Sequence, residues 1–554
     1  MTLESVLKNI DAGRLMQTVN AVCTGERLSN EAEKASFAVM ERLFKEAGAC
    51  VHTETLRGFV STPENASLRV NGTDYVCRTH PMTPSVMLLA APLVYVPLRE
   101  TAAVDPAAVE GAIVLTDGLA MEPVVRGLAA KGAKGVVFIT GQYIHNMIVS
   151  RVWGSPTPET MHDYVTVPVV SVSMADGERL KAEARKGSLA EMHTDVWSRW
   201  TDIPCLVAEY RHPSGQFVMV TGHNDSWHLG AMDNASGNAC AIELARVFRD
   251  AQAEMKRGVR FVVWSGHSHG RYAGSTAYCD EHFEELWQHC VLNINADCLG
   301  GRCASVMTES PAMASTSDLA RLALKEAAGV TDWVGCRYSR SCDQSFWGPG
   351  VPSVFSQVSE QPPFEGVAAE AFKLMFGSGR SGGFGYWWHS VEDTPDKLDP
   401  ELLRRDTSVF ASCLWHALCD ERLPLDAEAE LREFTALCKV WETKAAGALD
   451  FTRLNSRLAR LSERLADLFA RLPAEEANDL THRVLRELIP LSYVEGSIYF
   501  HDEALRQPPV PMLRDIDRLA SADDHLRECL LVKLRREMNR LVLGIDRILL
   551  DLPA

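Results

Sequence analysis

The chain has 554 residues, 46% hydrophobic and 23% charged, an ordinary globular composition in a chain too long for one core. Its 56 Lys and Arg against 73 Asp and Glu leave a formal charge of −17, which argues against a nucleic acid or an anionic membrane as partner. MTLESVLKNIDAGRL lacks a basic n-region, no apolar run reaches membrane-span length, and fifteen cysteines are scattered without a CxxC pair, so the expectation is a cytoplasmic protein with reduced thiols.

Residues 1–55 begin with helical spacing. Apolar positions recur every three or four residues through AEKASFAVMERLFKEAG, Gly48 is placed to end the helix, and a short strand, CVHTETL, follows. From 56 to 195 the texture changes to short β-rich runs: ASLRV, SVMLLAAPLVYV, GAIVLTD, GVVFIT and VPVVSVS. One clear helix, MEPVVRGLAAKGAKG, lies between two of them, which defines a small α/β module. From 196 to 425 apolar strands alternate with helical segments: QFVMVTGH, NACAIELARVFRDA, VRFVVWSG, CVLNINADCLG, DLARLALKEAAG and VPSVFSQ. That alternation predicts a doubly wound α/β layer, in which ligands gather at the carboxyl ends of the strands. Residues 426–554 are helical. Leu454, Leu458, Leu461, Leu465, Leu468 and Leu472 form an apolar seam, either packed within the chain or facing a second copy.

Three signals stand at strand ends. In VMVTGHNDSWHLGAMDNASGNACAIELAR a strand delivers His223, then Asp225, then a Gly-rich loop holding Asp233 and Asn234. Imidazole nitrogen and carboxylate oxygen suit a borderline metal such as zinc, and Asp225 is spaced to fix the tautomer of His223. In VLNINADCLG, Asp297 ends a strand that reads as buried, where an isolated carboxylate is costly without a cation. In GGFGYWWHSVEDTPDKLD, His389 sits in a Gly- and Trp-rich loop.

In this order the motifs resemble the zinc-dependent aminopeptidases and glutamate carboxypeptidases, a family that includes the non-hydrolysing transferrin receptor. GHxDS…GAxDNASG is the most specific element; WHSVEDTPDKLD resembles the family's final-ligand segment, and SCDQSFWGPGVPSV, with Asp343, its substrate loop. The resemblance implies a doubly wound mixed sheet of the zinc-exopeptidase type. Residues 1–55 and 196–425 would form the catalytic domain, 56–195 an inserted protease-associated domain, and 426–554 a helical domain that favours a homodimer. It further implies that His223 and Asp297 hold one zinc, that His389 and a glutamate hold another, and that Asp233 bridges them before a cis peptide to Asn234.

The family's adjacent glutamates, base then ligand, fall on GHSHG, where His267, Ser268 and His269 stand instead. A direct reading puts His267 at the base and Ser268 at the ligand. One extra residue before Gly274 and Ser275 leaves His269 open to either role. Loss of a ligand carboxylate favours one zinc over two, with another transition metal as the alternative, and histidine can replace the base. The expectation is a metal-dependent exopeptidase-like hydrolase of a small peptide or amide. A non-catalytic binding relative and a metal enzyme of changed reaction type are the alternatives. Arg271 and Tyr272 are candidates for a substrate carboxylate or a structural salt bridge, Trp387 and Trp388 for a pocket wall or core packing. His228 reads as solvent-facing, and His501 as a distant group with a route to the site. No phosphate loop and no GxSxG elbow occurs.

Overall fold

The structure, a computed structural model, describes residues 1–338, 342–363, 383–504 and 507–553; Ser341 and Gly382, at the edges of the substrate-loop and final-ligand segments, and residues 505–506 lie outside them. Four strands, Ser353–Val354, Cys290–Asn295, Phe217–His223 and Gly258–Trp264, lie parallel in that order. Phe217–His223 and Cys290–Asn295 are buried at every position, as parallel strands covered on both faces must be. Val218 and Val220 pack into one core with the helix Gly237–Phe248, while Phe217 and Met219 pack into another with Ala273, Tyr278 and Leu286. The chain leaves Phe217–His223 for a neighbour on one side and later returns to pair on the other. This reversal opens a crevice at the strand's carboxyl end. His223 is the last residue of that strand, and Asp297 lies two residues beyond the end of Cys290–Asn295.

Beyond Gly258–Trp264 the sheet continues into a long antiparallel ribbon. Cys50–Val70 and Leu189–Tyr210 pair from Cys50 opposite Glu209 to Val70 opposite Ala190. Near one end, residues of Leu189–Tyr210 pair with Gly258–Trp264; near the other they pair with Val86–Tyr95. Val86–Tyr95, Ile113–Asp117, Gly135–Gly141 and Val169–Ser173 then form a second parallel sheet. Residues 55 and 195 therefore fall within continuous strands. CVHTETL and ASLRV are two parts of one strand, because a register shift between Pro63 and Asn65 absorbs the proline that reads as a break.

One clamp ties the ribbon to the α/β layer. His282 Nε2 donates to Glu54 Oε2 at 2.9 Å, and its Nδ1 lies 3.4 Å from Glu285. Hydrogen bonds to Glu285 and Glu54 raise the imidazole from 6.5 to about 9, against the opposing effect of burial. A folded-state pKa above the unfolded value adds stability that is full below about 6.5 and lost as the pH rises through about 9. His282→Gln is therefore expected to lower the thermal midpoint at about pH 6, by an amount on the order of 1 kcal/mol, and to have little effect at about pH 10. Differential scanning fluorimetry at the two pH values checks this.

The helices Ala427–Ala445, Thr452–Arg471, Ala474–Tyr493 and Asp524–Asp551 complete the chain. Leu454, Leu458, Leu461, Leu465 and Leu468 are at most 1% exposed, so this part of the seam is consumed inside the bundle, with Leu472 half-buried at its end. Leu461→Ala removes a fully buried side chain and is expected to cost about 2–5 kcal/mol, read as a lower thermal midpoint.

Candidate metal centre

Three side chains converge in the crevice. His223 Nε2 lies 3.2 Å from Asp233 Oδ1 and 3.7 Å from Asp297 Oδ1. All three residues are at most 6% exposed, yet none of these three atoms has a hydrogen-bond partner in acceptable geometry. Unpartnered buried polar atoms carry a penalty of kilocalories each unless a further group satisfies them. Two zinc ligands in a tetrahedron lie about 3.4 Å apart, and the observed spacings bracket that value. The donors fit a zinc-sized cation. His389 joins from the far side, its Nε2 3.0 Å from Asp233 Oδ2. Burial by itself would lower the pKa of His223, but the Asp233 and Asp297 carboxylates raise it well above the ordinary value. Asp233 is held well below the usual carboxylate range by His223 and His389, against the upward push of burial.

The imidazoles are oriented from behind. His223 Nδ1 donates to the backbone carbonyl of Asp225 at 2.9 Å, and His389 Nδ1 to the carbonyl of Asn146 at 2.7 Å. Each bond fixes the tautomer that leaves Nε2 free for a metal. The Asp233 loop is shaped by close approach. A Cβ on Gly230, which has φ +52°, would fall 2.4 Å from the carbonyl oxygen of Asp233. One on Gly237 would fall 2.3 Å from that of Ala296. The Asp233–Asn234 peptide is cis. Asn234 bridges the two ligand-bearing loops: its Nδ2 donates to Ala296 O at 2.9 Å and its Oδ1 accepts from Gly237 N at 3.1 Å.

The GHSHG segment separates into three roles. His267 faces the centre: its ring stacks on His223 at 3.7 Å, and it forms a trio with His223 and Asp297 whose donor atoms lie within 4.8 Å of one another. Its Nδ1 donates to Asp343 Oδ2 at 2.9 Å. Asp343, expected on a substrate-contacting loop, is fully buried behind His267 and orients it. His269, expected as an alternative base or ligand, faces elsewhere. Its Nδ1 donates to Asp225 Oδ2 at 3.1 Å and its Nε2 pairs with Ser29 Oγ at 2.7 Å, so both nitrogens are engaged away from the cluster. Ser268 Oγ donates to the backbone carbonyl of Asp225 at 3.5 Å, behind His223, and its amide donates to Asp225 Oδ2 at 2.5 Å. The Asp225 carboxylate, expected to hold His223, instead anchors the substituted segment, accepting from His267 N as well. The hydrogen bond and charge of His269 hold this carboxyl well below the usual range, against the upward push of burial.

Tyr272 presents its edge to His267 at 4.8 Å and its face to Trp153 at 4.0 Å, beside the centre. Arg271 turns aside and donates to the carbonyl of Ala504 at 3.3 Å. Trp388 stacks on His389 at 3.5 Å, and Trp387 Nε1 lies 3.2 Å from Met232 Sδ; both rings are buried around the ligands. His228, expected in solvent, is half-buried and contacts Arg78 and Asn146; His501 binds Asp280.

Several supporting residues carry no local sequence signal. Asp393 accepts from the amides of Met232 (2.8 Å) and Asp233 (3.1 Å), holding the Asp233 loop; burial pushes its carboxyl up to about 7, against these amides. Arg27, fully buried, donates to the carbonyls of Asn224, Leu229 and Gly230. Asn146 comes from the segment between the two ribbon strands, and like Asp393 and Arg27 it reaches the centre only through the fold.

Residues 206–414 match the sequence model of peptidase family M28. Aminopeptidase YwaD of Bacillus subtilis is 23% identical over 305 residues, 55% of this chain and 61% of that protein. Carboxypeptidase Q of Mus musculus is 23% identical over 272 residues, 47% and 52% respectively. The matches thus span about half to three-fifths of these relatives. BSAP, a zinc aminopeptidase from Bacillus subtilis, superposes with a TM-score of 0.57 at 20% identity, covering 74% of this chain and 96% of that one. A peptidase M28 precursor from Shewanella amazonensis gives 0.58 at 18% identity, covering 74% and 95%. At these identities the likeness is one of fold.

Proposed function

We propose that the protein is a metal-dependent exopeptidase-like hydrolase of a small peptide or amide, with one zinc held by His223, Asp233 and Asp297 and approached by His389. The observation that carries this reading is the convergence of three buried, unpartnered donor atoms beside an imidazole whose far nitrogen is fixed by a carboxylate. A zinc bound there supplies Lewis-acid polarisation of a carbonyl and makes water more acidic. His267 Nε2 accepts the proton of the attacking water, and Asp343 stabilises the imidazolium that results. The same nitrogen then gives the proton to the leaving amine as the carbon–nitrogen bond breaks. Tyr272 and Trp388 limit the movement of His267 and His389 by packing against their rings.

Around this core the proposal has three further parts. The unit at 56–195 acts as a protease-associated insert. Leu526, Val532, Leu543 and Leu550 are exposed on the last helix and supply an apolar surface for a homodimer. A cytoplasmic setting rests on fifteen cysteines scattered without a CxxC pair. A second reading, a non-catalytic binding relative, is favoured by one observation: Ser268 and His269 are both turned from the centre.

Elemental mass spectrometry of untagged protein, followed by turnover of a peptide and amide library with and without chelator, separates the two. About one zinc per chain and chelator-sensitive turnover support the hydrolase. No metal after reconstitution and no turnover support the binder.

A further inference from the structure

A second group of potential ligands shares the floor of the centre. One oxygen each from Asp233 and Asp297 and the sulfur of Cys298 lie within 4.8 Å of one another, and all three residues are at most 6% exposed. The two carboxylate oxygens are themselves buried and without hydrogen-bond partners. Cys298 follows Asp297 with φ +55°, in the left-handed region, and its amide donates to Asn234 Oδ1 at 3.4 Å. The asparagine that follows one ligand thus holds the backbone that follows the other. Two ligands of one tetrahedral ion lie about 3.4 Å apart, or about 3.5 Å when one is sulfur, so this trio closes on a cation by drawing its atoms together. The sulfur of Cys298 adds a soft donor to the two carboxylates.

We propose that Cys298 supplies a sulfur ligand to the metal held by Asp233 and Asp297, in a coordination sphere in which Ser268 takes no part and a position remains for water. The inference rests on the metal-hydrolase reading above and goes beyond it by changing the character of the centre. A nitrogen, oxygen and sulfur donor set favours zinc, cobalt and cadmium over magnesium and manganese, which prefer oxygen. With Cys298 engaged, the centre does not depend on a glutamate at position 268 for its charge balance.

The test is cobalt substitution of the full-length protein, with cobalt content and the near-ultraviolet absorption spectrum measured together. Bound Co²⁺ with a thiolate-to-metal charge-transfer band is expected for the parent chain. Cys298→Ser is expected to lose the band, to retain bound cobalt at high concentration, and to bind it at least about 10-fold more weakly. Cys342→Ser, at the other cysteine of this region, is expected to keep the band. Cobalt bound without a charge-transfer band in the parent, or a band that survives Cys298→Ser, overturns the sulfur assignment and leaves the hydrolase reading standing. Failure to bind cobalt at all overturns both. Cys298→Ala, which removes the donor without adding an oxygen, separates loss of a ligand from a serine acting in its place.

Discussion

Replacing Asp297 with alanine is expected to leave a folded protein that holds no metal and has no turnover. The reason lies in the donor geometry. Asp297 Oδ1 is one of three unpartnered buried atoms, and Asp297 belongs to both ligand trios. Its removal takes a ligand from each at once and leaves Asp233 as the one carboxylate near His223 Nε2. Loss of a supporting residue behind a ligand typically costs 10–100-fold in metal affinity, and loss of a ligand itself costs more. Metal content is expected to fall to less than about a tenth of the parent value, and turnover to background. Folding should survive, because the structural bonds of the segment run through its backbone: the amide of Asp297 donates to Ser356 O at 2.8 Å and the amide of Leu299 to Ser236 Oγ. A fully active, metal-replete Asp297→Ala protein would sink the assignment.

The second large effect is a contrast among three substitutions. His267→Gln is expected to lower kcat about 10²- to 10⁴-fold with metal content near that of the parent, the signature of a lost base. Asp343→Asn keeps the size of the side chain but no longer supplies a carboxylate to the His267 Nδ1–H. It is expected to lower kcat about 10²-fold, with a smaller change in KM and unchanged metal content. His269→Gln alters a residue with both nitrogens engaged away from the centre and is expected to keep kcat within about 10-fold of the parent. If His267→Gln instead empties the site, the imidazole is a ligand and the proton acceptor lies elsewhere. Elemental analysis of each purified variant beside its steady-state kinetics reads all these outcomes.

The layered α/β fold, His223 and Asp297 were legible because an apolar run locates each strand and topology places its carboxyl end in the crevice. Asp233 and His389 stand in loops and were legible through the family resemblance of the motifs around them. GHSHG was not, since three consecutive polar residues sit in a turn whose length departs from the family pattern. Their roles are set by Asp343, 76 residues away from His267, and by Ser29, 240 residues away from His269. Asp225 shows a different limit. Its spacing after His223 suits either its carboxylate or its carbonyl as the orienting group, and sequence carries no information about which one faces the ring. Cys298 was hidden among fifteen unremarkable cysteines, most of them away from the centre. The ribbon was hidden by Pro63, which breaks the strand pattern between CVHTETL and ASLRV.

The unbroken ribbon makes the insert a lever rather than a tethered cap. A flexible linker would let the 56–195 unit wander without disturbing the layer behind it. Two paired strands that also border both sheets transmit twist along their length. In the unit joined to that ribbon, the carbonyl of Asn146 holds the ring of His389 and the carbonyl of Trp388 is held by His145. Torsion of the ribbon would therefore be felt at the imidazole of His389. Excising the insert would cut both strands of the shaft, so truncation of residues 56–195 tests a broken machine and not a lidless one.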